Sequence, residues 1–433
     1  MPAALRPRTV ALILCAILAI YGWETHARRR ALSPPGTLGD QSAYLAHARH
    51  LYESNYTVIE DRNRMPVFPF LLSLIYRPGL TEGQFLNRAQ VFNVNLSIAL
   101  LAALFFIFRR FFSSLLALAL VAITGFGVFL YRAPNAQTEV LFYFISFCGF
   151  VLLLQMLVTP RWWLAVLAGA TIGIAHLTKA SVLPALGVWM VAFAAQVIWN
   201  ARKRHWIDIA RRSGMLLVVT ATFLAVVFPY IRTSKRIYGA YFYNVNSTFV
   251  MWFDSSTTAH EFLKKYDKDQ WRVLPADQLP SASKYWREHS AGQIANRLWR
   301  GLHDLSTQNA MAIGYYKYVV ALASAAVILI MRGRERLRSL VSERPFPALY
   351  CLLFFGAYIA LYAWYDQIIN DTRFVLAIFL PFIFAATLLV LRLGNGTDVT
   401  VFERRWAFSG FLSYLLFALA TIDLLYNARY VVG

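Results

Sequence analysis

The chain has 433 residues, 58% of them hydrophobic and 16% aromatic, with only 15% charged. That composition is far from that of a soluble domain and fits a chain that crosses a membrane many times. The net charge of +20 does not point to nucleic acid, because the basic residues cluster in short connections between apolar runs, the positive-inside pattern.

A bilayer-crossing helix needs about 20 mostly apolar residues. Roughly eleven such runs follow one another, at 10–23, 92–108, 114–131, 140–158, 162–177, 182–199, 214–231, 318–331, 346–364, 375–391 and 407–426. The first run follows Arg6 and Arg8, as a signal peptide would. Thr25-His26-Ala27 is a poor cleavage site, however, and Trp23 suits an interfacial anchor, so the run reads as a retained span. Arg109 and Arg110, the basic connection from Arg202 to Arg212, Arg332 to Arg338, Arg392, and Arg404 with Arg405 all fall on one side. That side reads as cytoplasmic and includes the N-terminus. Arg28, Arg29 and Arg30 fall opposite, but they head a long segment, and long segments obey the rule weakly. Cys15, Cys148 and Cys351 lie inside apolar runs and read as packing residues. No Cys/His spacing suits zinc.

The chain is thus expected to be a single all-α integral membrane domain, 1–433, with two long outer segments at 24–90 and 232–316. Both segments mix aromatics, prolines and charges, so they are expected to fold on the membrane surface. The function should lie there. The hydropathy pattern shows no two-fold repeat, which weighs against an inverted-repeat transporter.

In the first outer segment, Gly39-Asp40-Gln41-Ser42 opens an amphipathic helix. Tyr44, Leu45, Ala48, Leu51 and Tyr52 form its apolar side, and His47, Arg49 and His50 lie toward its polar side. Such a helix should lie in the interface. Asp40 at its head reads either as a helix cap or as a carboxylate held for chemistry at the membrane surface. Arg62-Asn63-Arg64-Met65-Pro66-Val67-Phe68-Pro69 then leads into another apolar helix.

This pattern resembles the first outer loop of the GT-C superfamily of membrane glycosyltransferases, in the branch of protein O-mannosyltransferases and lipid A aminoarabinose transferases. Further stretches are similar to that family in the same order. They are Asn135 to Phe142 with Glu139; Leu177-Thr178-Lys179; Pro229-Tyr230-Ile231-Arg232 with Gly239; Ser283 to His289, as an amphipathic helix; and Asp371-Thr372-Arg373-Phe374. The family commonly has two adjacent acids in the first loop, whereas Gln41 follows Asp40 here. Thr233 stands where an Asn is expected after Arg232.

The resemblance implies a GT-C-like fold, a polyprenyl-phosphate sugar as donor, and a lipid, glycan or protein acceptor on the periplasmic or luminal side. In that frame Asp40 is the expected general base, with Glu139 assisting. Lys179, Arg232 and Arg373 are the expected phosphate-holding groups. Tyr44, Arg62 and Arg64 are candidate substrate contacts. No cofactor is expected, and a divalent metal is left open. Bland readings stand beside these: Lys179 snorkelling, Arg373 pairing with Asp371 or Asp366, Arg232 capping its span, and Glu139 favouring a helix dipole. His176 reads as a satisfied polar residue of a packed span. The aromatic run from Tyr238 to Asn244 reads as an interfacial belt, with stacking on a sugar as the alternative. Two rival functions share the scaffold, a transporter or flippase of a lipid-linked glycan and a non-catalytic binding subunit.

Overall fold

The computed structural model describes residues 6–31, 39–57, 64–202, 206–266, 274–275, 277–309, 316–401 and 403–432. Among these, nine helices are long and apolar enough to cross a membrane. Tyr316–Arg332 and Arg334–Glu343, bent by 104° where they join, are long and apolar enough only together, and the apolar helix Trp162–Thr178 has 17 residues. These correspond one for one to the eleven apolar runs of the sequence. Apart from an antiparallel hairpin, Asp398–Val401 with Arg404–Ala407, regular structure among the described residues is helical, so the chain is an all-α polytopic membrane protein.

The helices used below are α1 (Pro7–Ala31), α2 (Asp40–Glu53), α3 (Val67–Ser73), α4 (Glu82–Phe108), α5 (Ser114–Gly127), α6 (Glu139–Val158), α7 (Trp162–Thr178), α8 (Leu183–Arg202) and α9 (Trp206–Tyr238). Without a strong hydrophobic drive between helices in lipid, close backbone approach decides packing. The Gly169-x-x-x-Gly173 face of α7 lies against α9. A Cβ at Gly169 would stand 2.5 Å from the Val219 carbonyl oxygen, and one at Gly173 would stand 2.8 Å from Val226. This pairing fixes the end of α7 beside α9.

The apolar side of α2 meets protein. Tyr44, Leu45 and Ala48 pack with Phe68 and Leu72 of α3, Phe85 and Ala89 of α4, and Ala136 and Leu141, and Leu51 is buried as well. Tyr52, expected on the apolar side, is exposed, whereas His47, expected on the polar side, is buried. The face that enters the core is therefore rotated from the simple apolar stripe. Gln41 is buried too. Its Oε1 accepts from the Ala136 N–H at 2.7 Å and from Gln90 Nε2 at 3.4 Å, which ties α2 to the chain between α5 and α6.

In the second long segment, α9 runs on to Tyr238, and short helices follow at Val245–Thr248, Ser256–Lys265, Ala282–Glu288 and Ala291–Asp304. The last of these is docked on the helix Pro345–Asp366. The Arg297 guanidinium lies 4.1 Å from the Trp364 ring centroid and donates to the Trp364 and Met251 carbonyls.

Candidate active site

Several helix ends meet at the end of the bundle opposite Arg109 and Arg110. They are the starts of α2, α6 and the helix Arg373–Leu393, and the ends of α7 and Pro345–Asp366. The arrangement encloses a cavity of about 470 Å³ whose lining includes Asp40, Tyr44, Arg64, Glu139, Lys179 and Arg373.

Asp40 is the first residue of α2, and Gly39 takes the cap position with φ 45°. That left-handed conformation suits glycine. Asp40 therefore stands one residue inside the cap position. Its two oxygens are taken by two arginines. Oδ1 accepts from Arg64 Nη2 at 2.6 Å, and Oδ2 accepts from Arg373 Nη1 at 3.0 Å. Burial raises the Asp40 carboxyl's pKa, but the Arg64 and Arg373 guanidiniums overcome that effect and hold it below the ordinary 3.8.

Arg373 begins its helix, where a cation opposes the helix dipole. Carboxylates offset this. Besides Asp40, Arg373 contacts Asp371 at 3.0 Å and Glu139 at 3.6 Å. Asp371 Oδ1 also accepts the Arg373 backbone N–H at 2.8 Å, and Tyr143 Oη donates to the Arg373 carbonyl at 3.0 Å. Glu139 is the first residue of α6, where an acid suits the dipole. It is 2% exposed and accepts from Lys179 Nζ at 3.2 Å. Lys179 follows the C-terminus of α7, where a cation is favoured. Burial pushes the Asp371 carboxyl up as well, and Arg373 and Arg132 bring it below the ordinary value.

Arg132 is the member of this network that sequence reasoning missed. Its Nη2 donates to Asp371 at 2.6 Å and to Thr372 at 2.7 Å. It stands outside the cavity lining and acts through Asp371. Its pairing partner is 239 residues away, so no local spacing could have revealed it. The chain beside it is fixed by Asn93, whose Nδ2 donates to the carbonyls of Ala133 and Asn135.

The structure thus brings Asp40, Glu139, Lys179, Arg373, Arg64 and Tyr44 together. Tyr44 packs edge-on against Phe68, and the Arg64 guanidinium lies 5.9 Å from the Tyr44 centroid. Arg232 is not brought in. It is exposed on α9 and absent from the cavity lining, because α9 continues past it with that face turned away. Arg62 lies outside the described residues. His176 is 3% exposed, as expected of a packed span, with Phe223 and Phe242 against its ring and the Ala180 backbone as a hydrogen-bond partner, and it is among the residues that line the cavity. Phe242 and Tyr243, expected in an interfacial belt, line the cavity as well. Among the described residues, no three His, Cys, Asp or Glu side chains gather as a metal-ligand set.

No family model matches the chain, and no curated protein matches it. Among solved structures, the chain is similar to the crystal structure of ArnT from Cupriavidus metallidurans bound to undecaprenyl phosphate. The identity is 16%, over 84% of this chain and 78% of that one, with a TM-score of 0.35. A likeness of that degree bears on no individual residue of the site.

Proposed function

We propose that the chain is a GT-C-type membrane glycosyltransferase that moves a sugar from a polyprenyl-phosphate donor to an acceptor hydroxyl on the outer side of the membrane. The observation that carries this reading is the Asp40 carboxylate held between Arg64 and Arg373 in the wall of the cavity, with Lys179 beside them on Glu139. The sequence motifs that resemble the GT-C family contribute Asp40, Glu139, Lys179 and Arg373 to that one wall.

The chemistry divides among these groups. A lipid phosphate is a dianionic leaving group and needs positive donors in a site that excludes water. Arg373 and Arg64 offer forks suited to phosphate oxygens, and Lys179 offers a point charge. Asp40 accepts the proton of the acceptor hydroxyl as that oxygen bonds to the anomeric carbon. The anomeric C–O bond breaks on the opposite face, and its electron pair goes to the phosphate oxygen. The anomeric centre inverts. A carboxylate bridged by two guanidiniums is a weak base. The donor phosphate competes for the same guanidiniums, so its arrival releases Asp40 to accept a proton. Glu139 positions Lys179 and Arg373. The cations of the wall outnumber its carboxylates, which suits an anionic lipid.

The test is release of free polyprenyl phosphate, followed by mass spectrometry, from purified protein in lipid offered a panel of polyprenyl-phosphate sugars and a crude acceptor extract. Asp40→Asn is expected to lower release by about 10²–10⁴-fold while the protein stays folded. Release by the unaltered chain that survives Asp40→Asn would remove Asp40 as base. No release with any donor would favour a transport or binding role.

A further inference from the structure

The cavity is lined in three parts. Its charged part is the wall of Asp40, Arg64, Glu139, Lys179 and Arg373. Its apolar part comes from within the spans, with Leu183 and Pro184 on α8, Ile231 on α9 and Leu361 on the helix Pro345–Asp366. Its third part comes from residues 242–251, beyond the end of α9. That stretch has no charged side chain, and it brings Asn244, Asn246 and Ser247 to the cavity. A polyprenyl-phosphate sugar is divided in the same way, into an apolar chain, an anionic phosphate and a ring that bears hydroxyls. The chain belongs with the apolar part and the phosphate with the cations, which leaves the ring for the neutral part beyond the spans.

Within that part, Asn246 has its side chain to spare. Asn244 is buried, and its Oδ1 already accepts from the backbone N–H groups of Asn246 and Ser247 at 3.1 and 3.2 Å. Ser247 Oγ donates to the Asn244 carbonyl at 3.5 Å. Asn246 is half-buried, and its side-chain amide makes no hydrogen bond among the described residues. The short helix that carries it, Val245–Thr248, is held in place. Val245 and Val250 pack with Ile368. The Met251 carbonyl accepts from Trp364 Nε1 at 2.8 Å and from Arg297 Nη2 at 3.3 Å, and the Ser256 N–H donates to the Gln367 carbonyl at 3.1 Å. The neutral part is therefore built onto the stretch of chain that leads into Asp371 and Arg373.

A primary amide donates from Nδ2 and accepts at Oδ1, whereas a carboxylate only accepts and an ammonium only donates. Two adjacent hydroxyls of a sugar ring offer an acceptor and a donor side by side, so one planar amide can pair with both. An amide fixed in position before the ligand arrives gives up little freedom on binding. Resting on the donor reading above, we infer that Asn246 is a specificity-determining residue that binds a pair of adjacent hydroxyls on the donor's sugar ring.

The experiment measures the affinity of the full chain in lipid nanodiscs for bare polyprenyl phosphate and for polyprenyl-phosphate glucose, galactose and mannose. At least one sugar is expected to bind about tenfold more tightly than the bare phosphate. Asn246→Ala keeps the backbone N–H that Asn244 accepts. It should lose most of that increment and leave the affinity for bare polyprenyl phosphate unchanged. Single-deoxy analogues of the preferred sugar then separate contact from structure. Loss of a contacted hydroxyl should weaken binding to the unaltered chain and change nothing further in Asn246→Ala, whereas a merely structural loss would add to it. Asn246→Leu, similar in shape and without donor or acceptor, serves the same cycle if Asn246→Ala does not fold. The inference is overturned if no sugar binds more tightly than the bare phosphate, if the increment survives the substitution, or if every deoxy loss adds to that of the variant. Failure of the unaltered chain to bind bare polyprenyl phosphate overturns the donor reading and this inference with it.

Discussion

Arg373 and Asp40 lie 333 residues apart in sequence and meet at 3.0 Å. The same guanidinium reaches Asp371 and Glu139, so three carboxylates from three parts of the chain converge on one planar fork. A lysine ammonium carries the charge but cannot span three partners in that geometry. Arg373→Lys is therefore expected to lower kcat/KM for donor turnover by about 10- to 100-fold. Initial rates of polyprenyl phosphate release measure this. A rate equal to that of the unaltered chain would mean that the fork only ties helices together.

The acid limb of activity follows from the state of Asp40. Its carboxyl titrates below 3.8 because Arg64 and Arg373 outweigh its burial. A depressed carboxyl stays ionised, and its ion pairs stay formed, above its own pKa, and both are lost as pH falls through it. The profile of kcat/KM, which reports the free enzyme, should accordingly stay level as pH falls to about 4 and drop only below that. Arg64→Ala removes one of the two opposing cations and should move the limb upward. Arg373 and Tyr44 are the other charged or titratable groups that interact with Asp40, and Arg64→Ala leaves them in place. A limb that does not move in Arg64→Ala would separate the acid dependence from Asp40.

Arg132 tests whether the network acts as one. It touches Asp371 and Thr372 but not the cavity. Without it, Asp371 keeps its ion pair with Arg373 and should draw that guanidinium away from Asp40. Arg132→Ala is expected to lower kcat/KM about tenfold and to raise the acid limb, which a merely structural loss would not move. Arg132→Lys should restore part of the rate, since it returns the charge without the planar guanidinium whose Nη2 reaches both Asp371 and Thr372. A normal acid limb in Arg132→Ala would confine Arg132 to a folding role.

How much of this was legible in the sequence depends on the range of the interaction. The spans were, because an apolar run of about 20 residues is a local property. α2 was legible through its helical spacing, yet its rotation was not. His47 is buried and Tyr52 exposed because α3 and α4 decide which face is covered. Lys179 and Arg373 could be singled out as charges near the outer ends of spans, where ionisable groups are costly, Glu139 as an acid just before a span, and Asp40 as the head of an amphipathic helix. Arg232 met the same criterion and lies outside the site, since the criterion does not say which way a helix face turns. Arg132 resembled any interfacial arginine, and only its distant pairing with Asp371 distinguishes it.

The spacing of α7 and α9 is the last point open to direct test. Gly169 allows the two backbones to touch. An added Cβ would stand 2.5 Å from the Val219 carbonyl oxygen and 2.9 Å from Thr222 Cβ, and a backbone oxygen cannot rotate aside. Gly169→Ala must therefore push the helices apart, at a cost of about 1–3 kcal/mol, read as a lowered Tm in a single detergent. Gly187→Ala on α8 is the matched control, because a Cβ there meets nothing within 4 Å, and it should change stability by no more than about 0.5 kcal/mol. His176 and Lys179 sit at the end of α7, with Phe223 and Tyr230 facing them from α9. Displacement should thus also weaken donor binding in Gly169→Ala but not in Gly187→Ala. Equal melting and equal donor affinity for the two variants would show that something other than this glycine contact holds the wall of the cavity in place.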